Sequence, residues 1–310
     1  MTASTTRRST AKAGKTAKSR IAAAGAIAVA GALLLTACGD QTDSGSKKDS
    51  GSSAAASKYK LPAKIKKAGV IKVGSDIAYA PMEFDKDGTP TGVDIDIAAA
   101  LGKELGVTFT FQNGTFDNLI PSLDSGRYDL IMSAMSDTKE RQAKVDFVDY
   151  FSAGVSILVK KGNPKGIESA ADLCGQTIAF QRGTVSADVA KSANAKCPAG
   201  KKIKTLTYDT DPEALLQVKQ GRAVADLNDF PVAAYNAKIS GGGKDFEVTG
   251  DQVDEGPYGI AVPKANAQLR DAVAKALDAI VANGEYGKVL KKWNVEQGAV
   301  TKAVLNGGSE

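Results

Sequence analysis

Histidine is absent from all 310 residues. That removes every Ser-His, Cys-His or other imidazole-based catalytic mechanism, and every zinc site that needs imidazole. Cysteine is scarce, with three residues, and aromatics make up 6% with one tryptophan. Acidic residues are missing altogether from the first 37 positions, which carry Arg7, Arg8, Lys12, Lys15, Lys18 and Arg20. The whole chain is +5, so without that basic stretch it stands at −1. A body so near neutrality gives no reason to expect a nucleic-acid partner. What remains is an ordinary globular composition, 43% hydrophobic and 24% charged with 32 Gly and 10 Pro. Collagen-like, disordered and disulfide-dense classes are excluded, and the length suggests about two domains.

The start of the chain reads as an address. A basic stretch through Arg20 is followed by the uncharged apolar run at 21–37, with small residues before Cys38. This is the order of a secretory signal, expected over residues 1–37. A permanent transmembrane helix is the competing reading, since the run sits at the short edge of the spanning range. Leu35-Thr36-Ala37-Cys38 resembles the bacterial lipobox, which implies lipidation of Cys38 and cleavage before it. Arg7-Arg8 suggests twin-arginine export, but the residues after it fit poorly. Residues 38–58, beyond Cys38 rich in Ser, Gly, Asp and Lys, are expected to be a flexible tether between lipid and body. Outside the cytoplasm the two remaining cysteines, Cys174 and Cys197, are expected to pair, with free thiols as the alternative. Such a bridge contributes about 3.4 kcal/mol on the chain-entropy estimate.

The body alternates strands and helices. Val70–Asp76 predicts a strand, 94–105 a helix with Ile97, Leu101 and Leu105 on one face and Gly106 ending it, and 107–111 a strand. A helix is expected over 116–125 with Pro121 in its first turn, and a strand over 128–134. A second series follows: strands over 155–159 and 177–180, a helix over 185–192, a strand over 203–208, a helix over 212–219 and a strand over 224–228. One more strand, 258–262, precedes a long helix striped by Leu269, Val273, Leu277, Ile280 and Val281, and a last helix over 286–293. The order implies α/β architecture with mostly parallel sheets. In such sheets ligands sit beyond the carboxyl ends of the strands.

Between residues 70 and 295 the chain resembles the extracytoplasmic solute-binding proteins of ABC importers, in the branch that binds polar amino acids. The segments that carry the resemblance are VIKVGSDIAYAPMEF, GTPTGVDIDIAAALGKELG, FDNLIPSLDSGRYDLIMSAMSDTKERQAKVDFVDYF, DLCGQTIAFQRGT, GRAVADLNDFPVAAY and LRDAVAKALDAIVANGEYGKVLKKW. The resemblance implies a two-lobed periplasmic-binding-protein-like fold with the lobes joined by two hinge strands. The first lobe would hold residues 59–153 and the C-terminal helices within 262–310, and the second lobe 154–261.

A free amino acid offers a carboxylate, an ammonium and a side chain. The carboxylate suits a guanidinium and backbone N–H donors. Ser136-Asp137-Thr138 reads as the cap of a helix, with Arg141 one turn on and able to reach back. The resemblance makes Arg141 the carboxylate clamp, with Ser133 and Ser136 donating or accepting around the ligand. A plainer role for Arg141 is a solvated arginine paired with Glu140 or Asp137. Gly183 and Thr184 are expected at the start of a helix in the second lobe, on the other side of the carboxylate, or as a simple cap. Asp229 matches the acid for the ammonium, or else caps the segment after Pro231.

Tyr79 and Phe116 match positions flanking the ligand side chain; core packing is their plainer reading. Asp76 matches an acid that meets a cationic or amide side-chain end. Three departures stand out. Ala134 replaces a common hydroxylic residue, Met82 replaces a frequent aromatic, and Arg182 beside Gln181 adds a cation that matters only if it faces the cleft.

The implied activity is capture of an amino-acid ligand by cleft closure and delivery to a membrane permease, without chemistry, metal or cofactor. The membrane is reached through the lipid anchor. A ligand sensor for a membrane signalling protein is the alternative. A dehydratase-like enzyme on the same fold, with Glu83 and Asp76 as candidate acids, is a third.

Overall fold

The computed structural model describes residues 58–309. The signal sequence, Cys38 and all of the tether but Lys58 lie outside the described residues.

After a short helix, α1 (Ala63–Ala68), the chain enters β1 (Val70–Ser75), whose Ile71 and Val73 are fully buried. A small three-stranded antiparallel sheet follows: β2 (Ala78–Tyr79), β3 (Glu83–Lys86) and β4 (Thr89–Thr91). Helix α2 (Val93–Leu105) buries the stripe Val93, Ile97, Leu101 and Leu105. It stops at Gly106, whose left-handed backbone (φ 71°) lets its N–H close on Gly102 O. Then come β5 (Thr108–Asn113), α3 (Leu119–Asp124), β6 (Leu130–Ile131) and a one-turn helix, α4 (Lys139–Gln142). β5 and β6 flank β1 in parallel, as the alternating sequence predicts.

Strand β6 is much shorter than the 128–134 expected. Its sequel is diverted because Ala134 turns into a left-handed conformation (φ 39°) and its N–H goes to Asp94 Oδ2 at 3.0 Å instead of to a neighbouring strand. That diversion starts the loop that carries Ser136 and Arg141.

The second half builds β7 (Val145–Lys160), β8 (Thr177–Gln181), α5 (Ser186–Lys196), β9 (Lys204–Tyr208), α6 (Asp211–Gln220), β10 (Ala225–Asp229), α7 (Phe230–Ile239) and β11 (Phe246–Pro263). It ends with α8 (Ala267–Ala282), α9 (Glu285–Trp293) and β12 (Ala299–Leu305). β8, β9 and β10 are parallel. Expected strands 155–159 and 258–262 prove to be the ends of two very long strands, β7 and β11, which pair antiparallel. Their full length is hidden in sequence for different reasons. β7 is buried almost throughout, so alternation is lost. The centre of β11 is polar and Gly-containing, with register shifts between Thr249 and Val253, between Val253 and Gly256, and between Tyr258 and Gly259.

Because β7 and β11 run through both halves, the described strands other than β2–β4 form one sheet in the order β5-β1-β6-β11-β7-β10-β8-β9, with β12 added to β7. The fold is two-lobed, with separate apolar cores on either side of these crossing strands. One core joins α2, β1 and the returning α8, where Leu269, Val273, Leu277 and Ile280 meet Ile97 and Leu101. Another joins β8, β10 and α5 through Ile178, Phe180, Val189 and Leu227. Cys174 and Cys197 form the expected disulfide in that second core, with Cα atoms 5.4 Å apart.

Candidate functional site: a cleft between two lobes

The strands deliver polar residues at their carboxyl ends, as open α/β sheets do. Asp76 lies just beyond β1, β8 ends at Gln181 with Gly183 and Thr184 just beyond, and β10 ends at Asp229. The diverted loop after β6 adds Ala134, and the turn after β5 adds Phe116. Six predicted residues — Asp76, Tyr79, Phe116, Ala134, Thr184 and Asp229 — line one enclosed space of about 10 Å³. Glu83 and Gln181 complete it. Such a volume holds one water molecule at most, so the lobes stand closed on each other.

The contacts across the seam are specific. Arg141 Nη2 donates to Gly183 O at 2.9 Å, while its Nη1 reaches back to Ser136 O at 2.7 Å. Its guanidinium lies 5.3 Å from the centre of the Phe116 ring, a cation–π arrangement. Thr138 caps α4, its hydroxyl accepting from Arg141 N–H at 3.3 Å. Gly183 must be glycine: its φ is 77°, and a β-carbon would come within 2.9 Å of Asp117 Cβ. Tyr79 accepts from the Asp229 N–H at 3.0 Å. Gln181 Nε2 donates to Asp76 Oδ2 and to Asp209 O.

Burial pushes the Asp76 carboxyl up to about 6, with the Asp117 charge adding and the Gln181 amide opposing. Burial also takes Asp229 up to about 6, held back by the Tyr258 and Tyr79 hydroxyls and by Arg141. Burial lowers the Arg141 guanidinium, with Asp229 the foremost of the carboxylates that oppose it.

Two expectations change. Ser133 does not line the cleft. It is buried, its hydroxyl accepting from Asp76 N–H at 2.9 Å and donating to Glu83 Oε1 at 2.9 Å. Both hydrogen-bonding directions are used in holding Asp76, so Ser133 supports the site from behind. Arg182 turns away from the cleft. It is half exposed and pairs with Asp209 at 2.7 Å, so it lends no support to an acidic ligand.

Gly183 and Thr184 also precede the helix instead of opening it, since α5 begins at Ser186. Thr184 donates its hydroxyl to Gln181 O at 2.8 Å. Arg141, Gly183 and Ser136 do not line the enclosed space; Ser136 holds Arg141 Nη1 and faces a neighbouring cavity of about 350 Å³ with Asp229.

Sequence reasoning missed Gln181 as a lining residue and treated Glu83 only as an enzyme acid. The signal for Gln181 was its place at the carboxyl end of an expected strand. Glu83 sits where burial and the Asp94 and Asp76 charges hold its carboxyl well above the ordinary range, with the Ser133 hydroxyl opposing. Among the described residues no group of three or more His, Cys, Asp or Glu side chains is arranged to hold a metal ion.

Comparisons with known proteins identify the family. The family described as bacterial extracellular solute-binding proteins, family 3, matches residues 71–296. The arginine-binding protein ArgT of Corynebacterium glutamicum is 33% identical over 252 residues, covering 79% of this chain and 81% of that protein. The L-cystine-binding protein TcyJ of Escherichia coli is 31% identical over 232 residues, covering 74% and 84%. Among solved structures, the ancestral amino-acid-binding protein AncCDT-1, a precursor of cyclohexadienyl dehydratase, is 40% identical. It covers 74% of this chain and 97% of that one, with a TM-score of 0.67. An ancestral arginine-binding protein bound to glutamine is 37% identical, covering 74% and 99%, with a TM-score of 0.67.

Proposed function

We propose that this chain, which belongs to the bacterial extracellular solute-binding proteins of family 3, captures a free polar amino acid by cleft closure and delivers it to the permease of an ABC importer. One observation carries the reading. Two buried carboxyls and an aromatic ring, drawn from both lobes, line a single enclosed space, and the Arg141 guanidinium lies against the other side of the contact, on that ring and on Gly183 O. They are the complements of a free amino acid. Arg141 takes the carboxylate, helped by the backbone around Gly183 and Thr184. Asp229 takes the ammonium beside Tyr79. Asp76 meets the end of the side chain, with Phe116 along its length. An acid at that end favours a cationic or amide side chain, and the similar proteins named for arginine support a cation first.

The space of about 10 Å³ cannot admit an amino acid, so the lobes must part for entry. The first lobe, 59–153 with 262–310, docks the ligand, and the second, 154–261, closes through β7 and β11. Lipidated Cys38 and the tether 38–58 hold this body at the outer face of the cell membrane after removal of 1–37. The protein is not an enzyme on this reading. Glu83 is gripped by Ser133 and Asp76 by Gln181, which leaves neither acid poised over a reacting bond.

Calorimetric titration tests it, with the protein stripped by unfolding and refolding and then offered the standard amino acids, ornithine and citrulline. Tight binding of arginine, lysine, ornithine or glutamine is expected. Preference for an acidic amino acid would overturn Asp76 as selector, and no binding would overturn the substrate class. The anchor is tested apart: Cys38→Ala should leave the membrane fraction, and retention there would point to an uncleaved helix. A membrane sensor would receive the same closed form; ligand uptake that survives deletion of the gene would favour that recipient over the permease.

A further inference from the structure

The family match ends at residue 296, yet the chain continues into β12 and a short segment behind it. That segment, Asn306 to Ser309, is threaded into the back of the clamp loop. Asn306 first locks onto β7: its N–H donates to Phe147 O at 3.2 Å, and Phe147 N–H donates to Asn306 Oδ1 at 2.7 Å. Gly307 N–H then donates to Asp149 Oδ2, and Gly308 N–H to Asp137 Oδ2, each at 2.9 Å. Gly308 O accepts from Gln142 Nε2 at 3.0 Å, and the same amide donates to Asp137 Oδ1 at 2.8 Å.

The seat excludes side chains. A β-carbon on Gly308 would stand 1.8 Å from Asp137 O, and one on Gly307 would stand 2.6 Å from Asp149 Oδ2. Two neighbouring carboxyl groups here need donors, and two successive glycine amides supply them. Burial and the Asp137 charge raise Asp149 to about 7, which marks how closely the pair is confined.

Asp137 and Gln142 bracket Arg141, and Ser136 O holds its Nη1. From the opposite side the loop is fixed by backbone bonds to β11, such as Asp137 N–H to Pro257 O at 2.8 Å. The loop is thus gripped between β11 and the C-terminal segment, and the segment is itself tied to a crossing strand.

We propose that residues 306–309 form a positioning clasp that sets the Ser136–Gln142 loop, and with it the Arg141 guanidinium, for the ligand's carboxylate. The inference rests on Arg141 as the carboxylate clamp. It is a role for a segment outside the family match, and it acts through the loop, since none of its residues touches the enclosed space.

Two variants of the full-length protein test it: a chain stopped after Leu305, and Gly308→Val, which spoils the seat but keeps β12. The probes are L-arginine and L-glutamine, each beside its carboxamide, which lacks the anion that Arg141 would meet. Both variants should bind the free amino acids about tenfold more weakly, the scale of one charge-assisted hydrogen bond. Carboxamide binding should stay unchanged, and in an Arg141→Ala background the truncation should cost no further affinity. An equal loss for acid and carboxamide would overturn the clasp in favour of general destabilisation. Hydrogen exchange without ligand gives an independent decision. Amides of 136–142 should exchange faster in both variants, and unchanged protection there would overturn the clasp. If neither probe binds the intact protein, the substrate reading fails, and the exchange result still decides the clasp.

Discussion

The two sides of the cleft are built differently. On the first lobe Asp76, Ala134 and Arg141 are braced by their own lobe. Asp76 hangs on Ser133, Ser133 on Glu83, Ala134 on Asp94, and Arg141 on Ser136. Asp94 is in turn gripped by the Tyr150 hydroxyl at 2.7 Å. On the second lobe Gln181 and Thr184 are braced locally, on Asp209 O and Gln181 O, but more of the bonds cross the seam. Gly183 O is met by Arg141, Gln181 reaches Asp76, and the Asp229 N–H rests on Tyr79. The first lobe therefore braces Asp76, Ala134 and Arg141 before closure, while Gly183 O and the Asp229 N–H gain their partners on closing. Binding onto a preorganised half loses less ordering entropy than assembling both at once.

The largest effect should come from breaking the braced side. Arg141→Ala removes a charge meant to be buried against the ligand carboxylate, and truncation of such a partner costs about 2–5 kcal/mol. Calorimetry with the preferred amino acid should show that loss with the melting temperature nearly kept. Unchanged affinity would dismiss the assigned site. On the other side, the Cys174–Cys197 bridge ties α5 to the segment before β8 within the second core. Cys174→Ser with Cys197→Ser should cost about 3.4 kcal/mol of stability on the chain-entropy estimate, read by denaturant unfolding. Affinity should fall far less, because the bridge is remote from the cleft. An affinity loss as large as the stability loss would mean that the second lobe does not close as a firm unit.

The same asymmetry governs what the sequence reveals. The order of strands and helices, the stripe of α8, the cap at Thr138 and the reach of Arg141 follow from local pattern, and the structure has them. The resemblance to solute-binding proteins is borne out by the family match. Less legible were features whose cause is distant in sequence. β6 shrinks to two residues because a carboxylate 40 positions earlier takes the Ala134 amide. Ser133 falls behind the site because Glu83 claims its proton. The direction of Arg182 is decided by Asp209 on another strand's end. The crossing strands exceed their expected length because burial erases alternation in β7 and bulges interrupt it in β11. Nothing in residues 299–309 announces a strand and a glycine seat, whose partners lie on β7 and the clamp loop.

A pH titration separates the cleft from the rest of the fold. The carboxyls of Asp76 and Asp229 rise from an ordinary 3.8 to about 6 in the folded protein. Folding therefore takes up protons between those values. The share of stability that these two acids control is lost as pH rises from about 4 to about 6, while buried Asp149 and Asp211, raised to about 7, extend the loss further. Ligand binding runs the other way. An ammonium on Asp229 and a cationic end on Asp76 need both carboxylates charged, so affinity should increase as pH rises through about 6. Near pH 5 the loss should approach about tenfold for each protonated acid. Calorimetry in buffers of different ionisation enthalpy should record proton release on binding. Flat affinity between pH 5 and 7.5 would mean that the ligand meets neither acid through a charge.

The smallest expected effect bears most directly on the order of events. Tyr79 belongs to the first lobe, and its hydroxyl oxygen accepts the Asp229 N–H at 3.0 Å across the seam. Tyr79→Phe keeps the buried ring and removes the hydroxyl that hydrogen-bonds the Asp229 N–H and carboxyl only when the lobes close. The cost is about 1 kcal/mol, the net worth of such a bond, and it should fall on the closed form alone. Trp293, the one tryptophan in the chain, reports on that form. Its ring packs edge-on against Phe84 at 6.0 Å, and Phe84 in turn lies 6.3 Å from Tyr235 of the second lobe. Stopped-flow tryptophan emission should show docking unchanged and the release rate raised about fivefold in Tyr79→Phe. If the association rate falls instead, Tyr79 and Asp229 already meet before the ligand is bound. The second lobe would then be as preorganised as the first, and the contrast between the two sides would be lost.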